Sequence, residues 1–111
     1  MNASPKNQNY AIKGSELILA DKNVQARVIT LAPRESIPWH YHSQTTDYYF
    51  VLSGTLEINE RGQKGHLSLN VGERHQLQPG IAHFLANNAV IDCQFLLLQG
   101  IGKYDWINVD N

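Results

Sequence analysis

The sequence predicts an all-β domain, and three observations predict it. From Glu16 onward the apolar runs are short and end in turn residues. Those runs are rich in β-branched and aromatic side chains, which suit a pleated, half-buried surface. No segment sustains a helical period. The length of 111 residues sets the scale at one domain with one core. Apolar residues make up 42% and charged residues 17%, a globular balance. A net charge of -1 provides no electrostatic footprint for nucleic acid or an anionic membrane. No run is long enough to span a membrane, and the N-terminus lacks the apolar stretch of a secretory signal. With Cys93 alone, no intrachain disulfide can form, so a reducing cytoplasm is the expected setting.

Taken in order, residues 1–14 are polar and Asn-rich and predict a flexible arm that can close over a neighbouring subunit. A single barrel domain is then expected over residues 15–111. Residues 24–31 (VQARVITL) predict a strand bounded by Asp21-Lys22-Asn23 and Pro33. Residues 47–52 form the next aromatic run, which Ser53-Gly54 turns into a strand over 55–59. Glu60-Arg61-Gly62 reads as a hairpin tip. Strands are expected over 67–71, 75–77 and 82–86, with Pro79-Gly80 as the turn before the last. Residues 90–98 are the longest apolar run and predict a central strand, and 104–109 predict a final edge strand. Strands this short and numerous suit a sandwich or a closed barrel, closure being the better way to hide edges.

The organising stretch is residues 34–54, RESIPWHYHSQTTDYYFVLSG. His40 and His42 are two apart, so on a strand both imidazoles face the same side. The polar run 43–46 suits a turn, and folding the next strand back brings Asp47 beside them. Two imidazoles and a carboxylate on one surface are the beginnings of a metal site. Further on, residues 72–87 read GERHQLQPGIAHFLAN and offer His83, with Asn87 four residues after it.

The pattern His40-x-His42-x4-Asp47-x6-Gly54, followed by Pro79-Gly80-x-x-His83-x3-Asn87, resembles the two signature motifs of the cupin superfamily. The motifs and the segment between them cover about half of the chain. Three positions depart from the family pattern: Arg34 stands where Gly is usual, Asp47 where Glu is usual, and Pro79 and Gly80 are adjacent. The resemblance implies the jelly-roll barrel, the double-stranded β-helix. It also implies His40, His42 and His83 as metal ligands, with Asp47 either a fourth ligand or a hydrogen-bond acceptor for a ligand histidine. Strand alternation then puts Pro38, His40 and His42 inward with Trp39 and Tyr41 outward. On the next strand Asp47, Tyr49 and Val51 point inward, with Tyr48, Phe50 and Leu52 outward. So aromatic an outer face predicts a homodimer.

Such a nitrogen-rich set suits Fe, Mn, Ni, Cu or Zn and not Ca or Mg. Tyr49 is the candidate catalytic proton donor. Gln76, Gln78 and Gln94 are candidates to orient ligands or substrate. His66 and His75 read as surface or rim residues, Asn87 as a turn organiser, and Cys93 as a small buried hydrophobe. Trp39 and Trp106 read as core or interface aromatics. The class expected first is a small-molecule metalloenzyme similar to single-domain cupin dioxygenases. A non-catalytic binding module is the alternative, and sugar isomerase or epimerase chemistry is the third. Sugar-phosphate or nucleotide-sugar substrates would want a cationic pocket, for which Arg27, Arg34 and Arg74 are the candidates. One barrel hosts many chemistries, so the fold does not choose among the three.

Overall fold

Short runs of alternating apolar and polar residues become ten strands among the described residues. They are β1 (Gly14–Asp21), β2 (Val24–Leu31), β3 (Ser36–Tyr41), β4 (Thr46–Ser53), β5 (Leu56–Glu60), β6 (His66–Leu69), β7 (Arg74–Leu77), β8 (His83–Ala86), β9 (Cys93–Gly100) and β10 (Ile107–Asn108). The structure is a computed structural model that describes residues 10–110. Most of the expected N-terminal arm, residues 1–9, lies outside the described residues. Its last part belongs to the barrel: Tyr10 and Ile12 pack against the core, and Gly14 opens β1. Among the described residues no helix is long and apolar enough to cross a membrane.

The strands form two five-stranded sheets, β1-β2-β9-β4-β7 and β10-β3-β8-β5-β6. Every pairing is antiparallel. The inner faces meet in one core containing Leu31, Leu56, Ile58, Leu85 and Phe95, each 1% exposed or less. Burying side chains of this size stabilises the fold by about 1.5–3 kcal/mol each. The long pairings β2–β9 and β4–β9 make β9 the spine of its sheet. The expected all-β, double-stranded β-helix architecture is therefore present.

Several local expectations change. On β4 the alternation holds, with Asp47, Tyr49 and Val51 buried and Leu52 exposed. On β3 it does not. Ile37 is buried where Pro38 was expected, because the pairing with β8 shifts between Ile37 and His40. Proline cannot donate to a ladder, and a bulge is where a sheet accommodates it. The irregularity resets the phase so that Ile37 and His40 both face inward. The central strand begins at Cys93, not at residue 90: Val90 and Ile91 are exposed in a turn, and β9 runs on to Gly100. Residues 104–106 are not strand: Tyr104 and Trp106 line the cavity, and only Ile107 and Asn108 pair with β3.

The departures from the family pattern at the turns are readable. Arg34 has φ 72°, the left-handed region where glycine is usual, and its N–H donates to Asn87 O at 2.8 Å. At Gly54, φ is 74° and a Cβ would lie 2.5 Å from Asp92 O, so glycine there is a steric requirement. Asn87 ties the second motif together: its Nδ2 donates to Leu31 O (2.9 Å) and Ile91 O (2.8 Å).

Candidate metal centre

Two paired strands, β3 and β8, carry the imidazoles to one point. His40 lies on β3, His42 just past its end, and His83 opens β8 directly opposite His40 in the ladder. All three are buried, with exposures of 3%, 3% and 1%. Each offers one ligand nitrogen, and these nitrogens lie within 4.8 Å of one another.

Backbone carbonyls fix the tautomers. Nδ1 of His40 lies 2.7 Å from Pro38 O, Nδ1 of His42 2.6 Å from Asp105 O, and Nδ1 of His83 2.8 Å from Ile81 O. A carbonyl only accepts, so each Nδ1 carries the proton and donates it. In the neutral rings every Nε2 is therefore a lone-pair acceptor. This is how a second partner prepares an imidazole to ligate. Gln99 respects the assignment, donating from Nε2 towards His42 Nε2 at 3.3 Å. Trp106 stacks on His40 with ring centroids 3.6 Å apart and planes 6° from parallel, which holds that ring's orientation.

Asp47 faces this group from β4, 1% exposed. Its Oδ2 lies 3.4 Å from His42 Nε2 and 3.2 Å from His83 Nε2. Although that carboxylate is close, the geometry forms no hydrogen bond to His83 Nε2, which stays buried without a partner. Acceptors facing one another at such distances repel unless a cation, a proton or a metal ion, lies among them. The donor set, the fixed tautomers and the orphaned nitrogen together fit a divalent transition metal.

The electrostatics carry the same message. Burial and the neighbouring His83 and His42 hold His40 well below the usual histidine range. Burial also disfavours charge on His42, but the Asp47 carboxylate outweighs it and raises the pKa. For Asp47, burial works against ionisation, yet His42 and His83 hold its pKa well below the usual carboxylate range. The pocket is therefore built to keep one carboxylate ionised opposite positive charge.

Around Asp47 a hydrogen-bond chain runs to the mouth. Tyr49 Oη donates to Asp47 Oδ2 (2.7 Å), and Gln99 Nε2 donates to Asp47 Oδ1 (3.0 Å). Gln25 Nε2 in turn donates to Gln99 Oε1 at 2.6 Å. Gln99 stands opposite both Asp47 on β4 and Gln25 on β2. Residues paired across a ladder share a face, which explains both contacts. Burial raises the Tyr49 phenol well above its ordinary value.

The glutamine that reaches the site is Gln99, not the three expected. Gln76 and Gln78 are exposed, and Gln94 donates to Thr30 Oγ1 at 3.3 Å, away from the imidazoles. Gln99, Asp105 and Trp106 belong to neither motif, and only the fold brings them in. His66 lies exposed against Glu57, and His75 sits near the rim, 2.6 Å from Glu60 Oε2. Cys93 is fully buried, and burial pushes its thiol up to about 11.

A cavity of about 280 Å³ opens onto the centre. It is lined by His40, His42, Asp47 and Tyr49, and also by Arg27 and Tyr104. Such a volume suits one small molecule. Of the three arginines, Arg27 lines this cavity and Arg74 lines a separate surface groove with Tyr48 and Phe50.

A family model described as Cupin domain matches residues 27–98. No curated protein matches the sequence. Among solved structures, a Klebsiella pneumoniae uncharacterized conserved protein with a double-stranded beta-helix domain superposes with TM-score 0.79. It is 20% identical, over 98% of this chain and 91% of that one. A cupin-2 domain containing protein from Shewanella frigidimarina superposes with TM-score 0.65 at 22% identity, over 79% of this chain and 80% of that one. An RmlC-like cupin family protein from Methanocaldococcus jannaschii gives TM-score 0.71 at 17% identity, over 84% and 89%.

Proposed function

The chain belongs to the Cupin domain family, and from that premise we propose that it is a metal-dependent small-molecule enzyme, an oxidoreductase of the dioxygenase type. One observation carries the reading: three buried imidazoles, each with Nδ1–H committed to a backbone carbonyl, turn their Nε2 atoms to one point beside an ionised carboxylate. His40, His42 and His83 hold the ion, which is Fe, Mn, Ni, Cu or Zn by the nature of the donors. When bound, such an ion supplies Lewis acidity and, in its redox-active forms, electron transfer with dioxygen.

The protein's own groups do the rest. Asp47 supplies negative charge beside two ligand nitrogens. The neighbouring His42 and His83 have already spent their Nδ1–H groups on backbone carbonyls and have none to give Asp47. Oriented by the donors Gln99 and Tyr49, and with Oδ2 beside two Nε2 atoms, Asp47 would serve as a fourth ligand. Tyr49 keeps its proton, since burial opposes ionisation, and shares it with Asp47 Oδ2. Any transfer from Tyr49 to substrate would have to break that bond, so its first role in this reading is to position Asp47. Leu85, Leu97 and Ile37 line the same cavity and exclude water from the reacting groups.

The reading includes a homodimer in the cytosol. Leu17, Ile18 and Leu19 on edge strand β1, and Leu52 on β4, are about half exposed, more apolar surface than an isolated barrel needs. A buried, unpaired Cys93 suits a reducing compartment.

Elemental analysis of gently purified protein, followed by oxygen-electrode assays of metal-reconstituted protein, tests this function. Near-stoichiometric transition metal and substrate-dependent oxygen uptake are expected. Ligand-dependent stabilisation without turnover would instead make the protein a binding module.

A further inference from the structure

The inner face of β2 changes character along its length. Gln25, Arg27, Ile29 and Leu31 pair with Gln99, Leu97, Phe95 and Cys93 on β9, so all four point into the barrel. Leu31 and Ile29 are in the core, while Gln25 and Arg27 sit above them and line the cavity. A guanidinium on an inward face costs free energy unless something satisfies it. Among the described residues Arg27 has no carboxylate partner; its Nη1 donates to Ser15 Oγ at 3.2 Å. Its charge is felt in the cavity, where it offsets part of the effect of burial on the phenols of Tyr10 and Tyr104. Among the described residues Arg27 is the one arginine or lysine lining this cavity, which is also lined by His40, His42 and Asp47.

We propose that Arg27 is a substrate-binding residue and that the cavity takes a small carboxylate, its anionic end on the guanidinium and its other end towards the histidines. This rests on the metal reading above for what lies at the far end, but not for the anion site itself. A planar guanidinium with N–H groups to spare matches a carboxylate in a two-bond fork. A single cation flanked by neutral donors suits a monoanion better than a phosphate dianion. The cavity volume limits the molecule to a few carbons beyond the carboxylate.

The test uses ¹⁵N NMR titration of the full-length, zinc-loaded chain, following the Arg27 Nε–H resonance. Acetate, pyruvate, lactate and succinate are the carboxylate probes, with methyl pyruvate and inorganic phosphate as controls. At least one carboxylate should bind and shift the Arg27 signal, and methyl pyruvate should bind roughly 10- to 100-fold more weakly than pyruvate. Arg27→Gln should weaken the binding carboxylate by a similar factor, and Arg27→Lys by less. Unchanged affinity in Arg27→Gln, equal binding of the ester, or no binding by any of the four overturns the assignment. Phosphate binding more tightly than every carboxylate overturns the carboxylate class. If Arg27→Gln melts early, the ester comparison in wild type still decides. Metal content is measured on the same samples. Carboxylate binding with no metal retained sinks the metal reading alone, and full metal with no anion binding sinks this one alone.

Discussion

Among the described residues two buried carboxylates, Glu60 and Asp47, meet histidine, and the two meetings are built differently. His75 and Glu60 meet one to one at 2.6 Å, joining β7 of one sheet to β5 of the other. Each satisfies the other, and nothing further is required. At the second meeting Asp47 faces two Nε2 atoms at 3.2 and 3.4 Å, and one of them has no hydrogen bond at all. The first pair has the economy of a clamp between sheets. The second is under-satisfied at the wall of the cavity, and it persists because packing and backbone carbonyls hold each ring from behind. Residue type alone does not separate the two; what separates them is that one carboxylate meets one ring and the other faces two Nε2 atoms.

Removing a ligand should give the largest contrast. His83→Ala should reduce bound metal from near one per chain to near none, an affinity loss beyond about 100-fold, while His75→Ala leaves metal content unchanged. Equal loss in both variants, measured by elemental analysis, would erase the distinction. Next come the carboxylate and its support. Gln99→Ala and Asp47→Asn should each weaken metal affinity by roughly 10- to 100-fold with the fold intact, as read by chelator competition. The clamp should respond in the other currency. His75→Ala should cost about 1–3 kcal/mol in urea denaturation, because Glu60 is left buried and unpaired.

The smallest effect is a pH slope in metal-free protein. The pKa of His40 is depressed by burial, so the unfolded chain takes up that proton first. Its contribution to stability is intact above the unfolded pKa near 6.5 and falls as the pH drops below it, by at most about 1.4 kcal/mol per pH unit. His42, raised mainly by Asp47 against burial, works in the opposite sense, its contribution being lost as pH rises through its folded pKa. The difference between wild type and His40→Gln isolates the first. A flat difference between pH 7 and 5 would remove His40 from the account.

Much of this centre was legible because it lies in two short segments. His40 and His42 are two apart, and Asp47 and His83 follow at spacings that a strand, a turn and a returning strand translate into proximity. What stayed hidden depends on register between distant strands. Gln99 is opposite Asp47 only once β9 has paired with β4, fifty-two residues away in sequence. Asp105 and Trp106 reach His42 and His40 because residues 104–106 leave the strand pattern expected over 104–109 before Ile107 and Asn108 pair with β3. Pro38 was placed on the wrong face for a related reason: alternation assumes a regular ladder, and the shift between Ile37 and His40 breaks it. Val90 and Ile91 are hydrophobic enough to suggest a strand, but Asn87 ties that stretch into a turn and leaves them in water.

The stacking of Trp106 on His40 also gives the molecule an optical property. Indole emission is sensitive to whatever lies against the ring, and here the His40 imidazole lies parallel to it at 3.6 Å. The second indole, Trp39, sits on the far side of β3 beside Phe84 and beneath the Arg61 guanidinium, 4.8 Å from its ring. One chromophore thus reports on the centre, and the other is an internal reference in the same polypeptide. Titration with a paramagnetic ion should quench Trp106 while Trp39 keeps glowing, so the protein carries its own fluorometer for occupancy.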